Sequence, residues 1–158
     1  MTKKTIFIYF FVCNLSLVFA QTSLIRTPSL SPDASELAFS YQGDIWVYNL
    51  NTQQSKRVTV HEAYESNPIW NTDGSQLAFS SNRKGSDNVF TVSKMGGMPK
   101  QITYYPTTDT PYDWTKENNI MFTTSRVMKI PPRDTQTYHV NAKGGTPQRT
   151  MTALGSMA

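Results

Sequence analysis

Ser31-Pro32-Asp33-Ala34-Ser35-Glu36-Leu37-Ala38-Phe39-Ser40 returns 40 residues later as Asn71-Thr72-Asp73-Gly74-Ser75-Gln76-Leu77-Ala78-Phe79-Ser80. A third copy, Thr115-Lys116-Glu117-Asn118-Asn119-Ile120-Met121-Phe122-Thr123, is looser and one residue shorter. Each copy joins a tight turn to an apolar run. Asp and Asn bond their own backbone in such turns, and Gly74 supplies positive φ. The runs Leu37-Ala38-Phe39, Leu77-Ala78-Phe79 and Ile120-Met121-Phe122 are continuous rather than alternating, which implies strands buried on both faces.

Working outward, a proline-bearing segment precedes each turn: Thr27-Pro28-Ser29-Leu30, Asn67-Pro68-Ile69-Trp70 and Thr110-Pro111-Tyr112-Asp113-Trp114. Proline suits an innermost or first-in-strand position, where its missing N–H spares the ladder. A third strand follows the apolar run at Asp44-Ile45-Trp46-Val47-Tyr48, Asn88-Val89-Phe90-Thr91-Val92 and Thr137-Tyr138-His139-Val140. Turns at Asn49 to Thr52, Met95-Gly96-Gly97 and Lys143-Gly144-Gly145 lead to outer strands at Lys56-Arg57-Val58-Thr59, Lys100-Gln101-Ile102-Thr103 and Gln148-Arg149-Thr150-Met151.

Four strand signals in a period of about 40 to 45 residues describe a β-propeller blade. The fold class is all-β, a β-propeller with about three four-stranded blades at 24–60, 66–104 and 109–151. Residues 152–158 begin a further one. A blade buries its faces only against neighbours, so the expectation is an incomplete propeller belonging to a longer assembly. The third unit carries a longer loop, Val127 to Arg133 with Pro131-Pro132, where propellers often differentiate function.

Residues 1–20 fall outside this pattern. Lys3 and Lys4 form a positive n-region before an apolar stretch, and Val18-Phe19-Ala20 precedes a cleavage position between Ala20 and Gln21. That is a secretory signal peptide, the alternative being an uncleaved N-terminal anchor. The expected location is therefore exported, periplasmic or secreted. The single cysteine, Cys13, lies in the apolar stretch, so the mature chain would hold together without disulfides. Losing Lys3 and Lys4 takes the formal charge from +4 to +2. The remaining basic residues form no run or stripe, which argues against a nucleic-acid partner. No other stretch reaches the roughly 20 apolar residues of a membrane helix, so no span is expected in the mature chain.

No catalytic constellation appears. His61 and His139 stand in different repeats without a partner at metal-ligand spacing. His61 begins a connecting loop, and His139 is read in the slot that Phe90 fills. Asn71-Thr72-Asp73-Gly74 echoes a calcium loop but lacks the further acidic ligands and closing glutamate. There is no Gly-x-Ser-x-Gly elbow. Gly96-Gly97 and Gly144-Gly145 precede no helix and are turn glycines rather than phosphate cradles. Trp46, Trp70 and Trp114, with Phe39, Phe79 and Phe122, read as blade core. Glu62, Glu65, Asp109 and Asp113 fall in or beside interblade connections, as solvated loop residues or as one rim. No residue is thus assigned a catalytic, cofactor-binding or metal-binding role, and no cofactor is expected.

The series Leu30-Ser31-Pro32-Asp33, Leu37-Ala38-Phe39, Gly43-Asp44-Ile45-Trp46-Val47 and Arg57-Val58-Thr59 resembles the Pro-Asp repeats of TolB-type propellers. His61-Glu62-Ala63-Tyr64-Glu65-Ser66-Asn67-Pro68-Ile69-Trp70, with Ile102-Thr103-Tyr104-Tyr105 and Pro111-Tyr112-Asp113-Trp114, narrows the resemblance. Over residues 21–151 the chain is similar to the N-terminal propeller of exported tricorn-type serine proteases. That resemblance implies a large peptidase in which propellers gate or scaffold peptide substrate, followed by a PDZ domain and a catalytic domain related to tail-specific proteases. None of the family's catalytic positions maps onto this chain. The implied partners are a peptide or protein substrate and the remaining blades and C-terminal domains, with homo-oligomerisation left open. Ala34 departs from the repeat's preference for glycine, and Glu117-Asn118 is a degraded turn. Two alternatives stay open: a non-enzymatic TolB-like protein-binding propeller, and the propeller of a prolyl-oligopeptidase-type or amidohydrolase enzyme.

Overall fold

Asp33 organises the first turn. In the computed structural model, which describes residues 24–125 and 136–150, its carboxylate accepts from the Ser31 hydroxyl at 2.6 Å and the Ser35 hydroxyl at 2.8 Å. The Ser35 amide adds a third bond at 3.1 Å. Ala34 then turns the chain with φ +57°. Asp73 repeats the arrangement, accepting from the Ser75 amide at 2.7 Å, and Gly74 takes φ +69°. In the shorter third turn Asn118 occupies the same left-handed position at φ +61°. The degraded turn therefore keeps its geometry, because Asn tolerates this region better than most side chains.

Each turn joins the two inner strands of a four-stranded antiparallel sheet. The first sheet is β1 (Arg26–Leu30), β2 (Glu36–Tyr41), β3 (Asp44–Asn49) and β4 (Gln54–Arg57). The second is β5 (Glu65–Trp70), β6 (Gln76–Ser81), β7 (Asn88–Ser93) and β8 (Lys100–Gln101). The third is β9 (Asp109–Trp114), β10 (Asn119–Thr124), β11 (Gln136–Asn141) and β12 (Gln148–Arg149). Strand order follows sequence order in all three, as in successive blades of a β-propeller. The signal segment with Ala20 and Gln21, the loop at 127–133 and the lead-in at 152–158 lie outside the described residues.

The prolines sit inside the innermost strands, not at their first residue. Every innermost strand carries a one-residue register shift, between Arg26 and Ser29, between Ser66 and Ile69, and opposite Met121 and Phe122. Pro28 and Pro68 fall within their bulges, whereas Pro111 stands beside the third, opposite Phe122, with Tyr112 as the extra residue. A bulge on an edge strand leaves a residue outside the ladder, so a missing N–H does no harm there.

Two cores form between the sheets. Ala38, Ile45 and Val47 of the first blade face Leu77, Phe79, Phe90 and Val92 of the second. Ala78 and Val89, on the opposite face of that second blade, meet Ile120, Phe122 and Val140 of the third. Leu77, Ala78 and Phe79 are all at 0% exposure. Alternate residues of one strand thus serve two different interfaces, which is why its sequence does not alternate.

A non-glycine residue in the left-handed region costs about 1–2 kcal/mol. Glycine returns part of that, roughly 0.4–1 kcal/mol, through the looser unfolded chain. Ala34→Gly should therefore stabilise the protein by about 0.5–1 kcal/mol in denaturant melts. Gly74→Ala should do the reverse, since an added Cβ meets only Pro32 Cδ at an ordinary 3.5 Å and the cost is backbone alone. The Ser31 and Ser35 bonds pull the Asp33 carboxyl from 3.8 to about 2. Its folded value lies below its unfolded one, so the turn's contribution is complete above that range and is lost as pH falls through it. Melts of Asp33→Asn should accordingly lose the part of the wild-type acid dependence that lies between those two values.

Candidate functional site

The surfaces this chain presents depend on how its blades are tied together, and three side-chain devices recur. The Ser40 hydroxyl donates to the Glu65 carbonyl at 2.5 Å, and Ser80, at the same repeat position, donates to the Asp109 carbonyl at 3.0 Å. The Thr59 hydroxyl accepts from the Ile45 amide at 2.9 Å, and Thr103 does the same for Val89 at 2.9 Å. Lys56 Nζ reaches across to the Met95 carbonyl at 2.8 Å, and Lys100 Nζ reaches the Lys143 carbonyl at 2.6 Å. All six residues were visible in the sequence as repeated letters. Nothing in their spacing announced that the serines and lysines bridge neighbouring blades while the threonines hold the outer edge of their own.

The acidic residues divide in a way that overturns the loop reading. Glu65 and Asp109 open the innermost strands β5 and β9 at 0% exposure. Arg83 pairs with Glu65 and also lies over the rings of Phe79 and Phe90, at 5.8 and 5.0 Å from their centroids. A desolvated guanidinium over two aromatic faces adds cation–π attraction to the charge pair. In the first blade the buried carboxylate is Asp44, which pairs with Arg57 and accepts from the His61 amide at 3.1 Å. Asp113 is exposed on β9, and Glu62 is exposed beside His61.

The histidines are placed as follows. His61 is exposed, and its Nδ1 accepts from the Ala63 amide at 2.9 Å, closing the connection between the first two blades. His139 does not occupy the Phe90 slot. Phe90 pairs with Phe79, and the residue opposite Phe122 is Tyr138. His139 faces Met121, the position Thr91 holds opposite Ala78. A short repeat hid this one-residue offset. The tryptophans also divide. Trp70 and Trp114 are buried at the ends of innermost strands, where Leu30 stands in the first blade, whereas Trp46 lies on β3 in the Phe90 position and is half-buried.

Asn71 to Gly74 form the hairpin turn, with Asp73 bound to Ser75. Gly96, Gly97, Gly144 and Gly145 all take positive φ in the outer turns. Among the described residues no cluster of three or more His, Cys, Asp or Glu is placed to hold a metal. Among the described residues no helix is long and apolar enough to cross a membrane.

What the blades present together is a row of side chains at the ends of the innermost strands. Leu30 is 53% exposed and Tyr112 48%, and with Trp70, Trp114 and Ile69 they line a groove of about 440 Å³ bordered by Asp113 and Lys116. The Trp70 indole donates to the Ser29 carbonyl at 3.0 Å and the Trp114 indole to Asn118 Oδ1 at 2.9 Å. Both indole N–H groups are thereby spent on structure, and the exposed apolar part of the lining is Leu30 and Tyr112, beside the polar Asn71, Thr72, Asp113 and Lys116.

Residues 22–158 match the family described as the tricorn protease N-terminal β-propeller domain. The chain belongs to that family. It is 25% identical over 103 residues to tricorn protease homolog 1 of Streptomyces coelicolor, which covers 65% of this chain and 10% of that protein. It is 30% identical over 93 residues to the uncharacterized peptidase YuxL of Bacillus subtilis, covering 52% of this chain and 14% of that one. The propeller thus spans only a small share of the curated relatives it matches. Among solved structures, a putative TolB from Agrobacterium tumefaciens aligns with TM-score 0.67 and 20% identity over 80% of this chain and 48% of its own. The tricorn protease aligns with TM-score 0.66 and 17% identity over 77% and 13%. These likenesses speak for the fold.

Within this tricorn-type propeller the Glu65–Arg83 pair is the most deeply buried ion pair among the described residues, with side chains 0% and 11% exposed. Removing one partner of a buried pair leaves an uncompensated charge and costs about 3–5 kcal/mol. Arg83→Met should therefore destabilise by that amount in urea melts at neutral pH. The double variant Glu65→Gln with Arg83→Met should recover most of the loss, and failure to recover it would assign the cost to the lost Phe79 and Phe90 contacts instead.

Proposed function

We propose that this chain is the substrate-gating or scaffolding propeller of an exported tricorn-type serine peptidase and supplies no catalytic groups itself. The observation that carries the reading is the family match across 22–158 together with three blades in sequential order. The aromatic groove at the strand ends supports it, because a gate for peptides needs a surface that tolerates varied apolar side chains. In this reading hydrolysis belongs to further domains, a PDZ domain and a tail-specific-protease-type domain, and the propeller restricts which peptides arrive. A second reading is favoured by the 30% identity to a protein named as a peptidase but not as a tricorn protease. In that reading the propeller serves a prolyl-oligopeptidase-type enzyme.

Reading the coding region beyond the Ala158 codon separates the two. More Pro-Asp repeats followed by PDZ and tail-specific-protease patterns are expected. A Gly-x-Ser-x-Gly elbow downstream would replace the tricorn reading with the second one, and an immediate stop would remove the peptidase assignment. The purified chain alone should hydrolyse no peptide. Export follows from residues 1–20, and N-terminal sequencing of protein from the cell exterior or periplasm should begin at Gln21. Full-length protein retained in the cytoplasm would sink that part.

A further inference from the structure

The turn ends of the blades differ at their two interfaces. Between the first and second blades Glu36 and Lys94 form an ion pair at 2.8 Å across the gap. Gly96 presses against the first blade there, and a Cβ added to it would lie 3.2 Å from the Val58 carbonyl oxygen. Strand register fixes the equivalent positions between the second and third blades. Glu36 faces Asn49 and Gln76 faces Ser93, so Gln76 replaces Glu36. Lys94 donates its amide to the Ser75 carbonyl and Ala142 donates to that of Asn118, so Ala142 replaces Lys94. The ion pair is gone. Gly144, in the place of Gly96, has no atom within 4 Å of an added Cβ.

An open groove of about 660 Å³ results, and its charge has changed along with its shape. Lys143 stands where the second blade has Met95, and Lys116 where it has Thr72. With Lys100 they put three ammonium groups along the groove, against one lining carboxylate, Asp73. The Ser75 hydroxyl and amide already hold Asp73, lowering its carboxyl below the usual range. The neighbouring Glu117 carboxyl is likewise held low, first by the Thr115 hydroxyl and in smaller part by the charge of adjacent Lys116. None of the three lysines forms an ion pair among the described residues. Lys116 and the Asn71-Thr72 corner also border the aromatic groove, so the two surfaces are continuous.

We propose that this groove binds acidic peptide segments, whose Asp or Glu side chains meet Lys116 and Lys143 while the adjoining chain crosses the aromatic row. The proposal rests on the peptide-handling reading above and gives it a preference in charge. Three lysines along one short groove, without arginine or a basic stripe, suit a few carboxylates and not a nucleic-acid backbone.

The test uses the full chain and a fluorescein-labelled eight-residue peptide of alternating Glu and Ser, with its Gln counterpart and a single-stranded oligonucleotide of equal charge as competitors. Anisotropy should show the acidic peptide binding about tenfold more tightly than the Gln peptide, with the difference shrinking as salt rises. Lys116→Gln with Lys143→Gln should abolish that difference and leave the Lys100 bridge intact. Gln76→Glu with Ala142→Lys, which rebuilds the ion pair of the first interface, should also abolish it, and thermal melts should confirm that both variants fold. Equal binding of acidic and Gln peptides overturns the charge preference and leaves the peptide reading standing. No binding of either overturns both. Tighter binding of the oligonucleotide, or an acid preference unchanged in both folded variants, overturns the groove assignment.

Discussion

A strand with apolar side chains on both faces has to be sandwiched, and the rest of the structure follows from satisfying that demand in β6. Leu77 and Phe79 point to one neighbour and Ala78 to the other, and none retains exposure. The small Ala at the centre lets the next sheet approach while the large Phe fills the space on the opposite side. Ala38 and Phe39 repeat this pairing of small and large in the first blade. The unit of stability is therefore the interface between blades, since no single sheet here contains both halves of a core.

Hydrogen bonds then fix how neighbours register. Burial is non-directional and would allow sheets to slide. The bonds from Ser40 and Ser80 to the carbonyls of Glu65 and Asp109 tie the second strand of one blade to the first residue of the next. Each acceptor belongs to a residue whose own carboxylate is buried. Arg83 meets the one at Glu65 by threading between the aromatic pair and the strand start. Polar and apolar parts of the interface consequently constrain the same few residues.

The sequence carried this architecture well, and it carried the chemistry of the surface poorly. Periodicity in the turn and apolar run was enough for the fold, because Asp33 and Asp73 act within five residues of themselves. The buried role of Glu65 was illegible, because it depends on Arg83, eighteen residues on and in a loop that looks solvated. His139 was misplaced by one residue because the third repeat has lost the letters that set its phase, and only pairing with Met121 restores it. The prolines stand in innermost strands as expected, but within or beside bulges, a distinction that depends on register between strands rather than on local preference.

The two interfaces show how a repeat acquires distinct surfaces without losing its fold. The bonds from Lys56 and Lys100 to the opposite turn are the same at both, and so are the serine bridges. What differs lies at the turn ends, where Glu36 and Lys94 give way to Gln76 and Ala142. A partly solvated ion pair such as this one contributes little stability, typically up to about 1 kcal/mol for exposed pairs. Its loss is therefore tolerable to the fold, and the gap it leaves is open at Gly144, where the equivalent Gly96 lies against the neighbouring blade. Selection on such positions is free to act on what the groove attracts. The serine bridges and apolar contacts that hold blades together lie in the core, and most of the residues that set what the propeller presents lie at the turns, so the two can diverge largely separately.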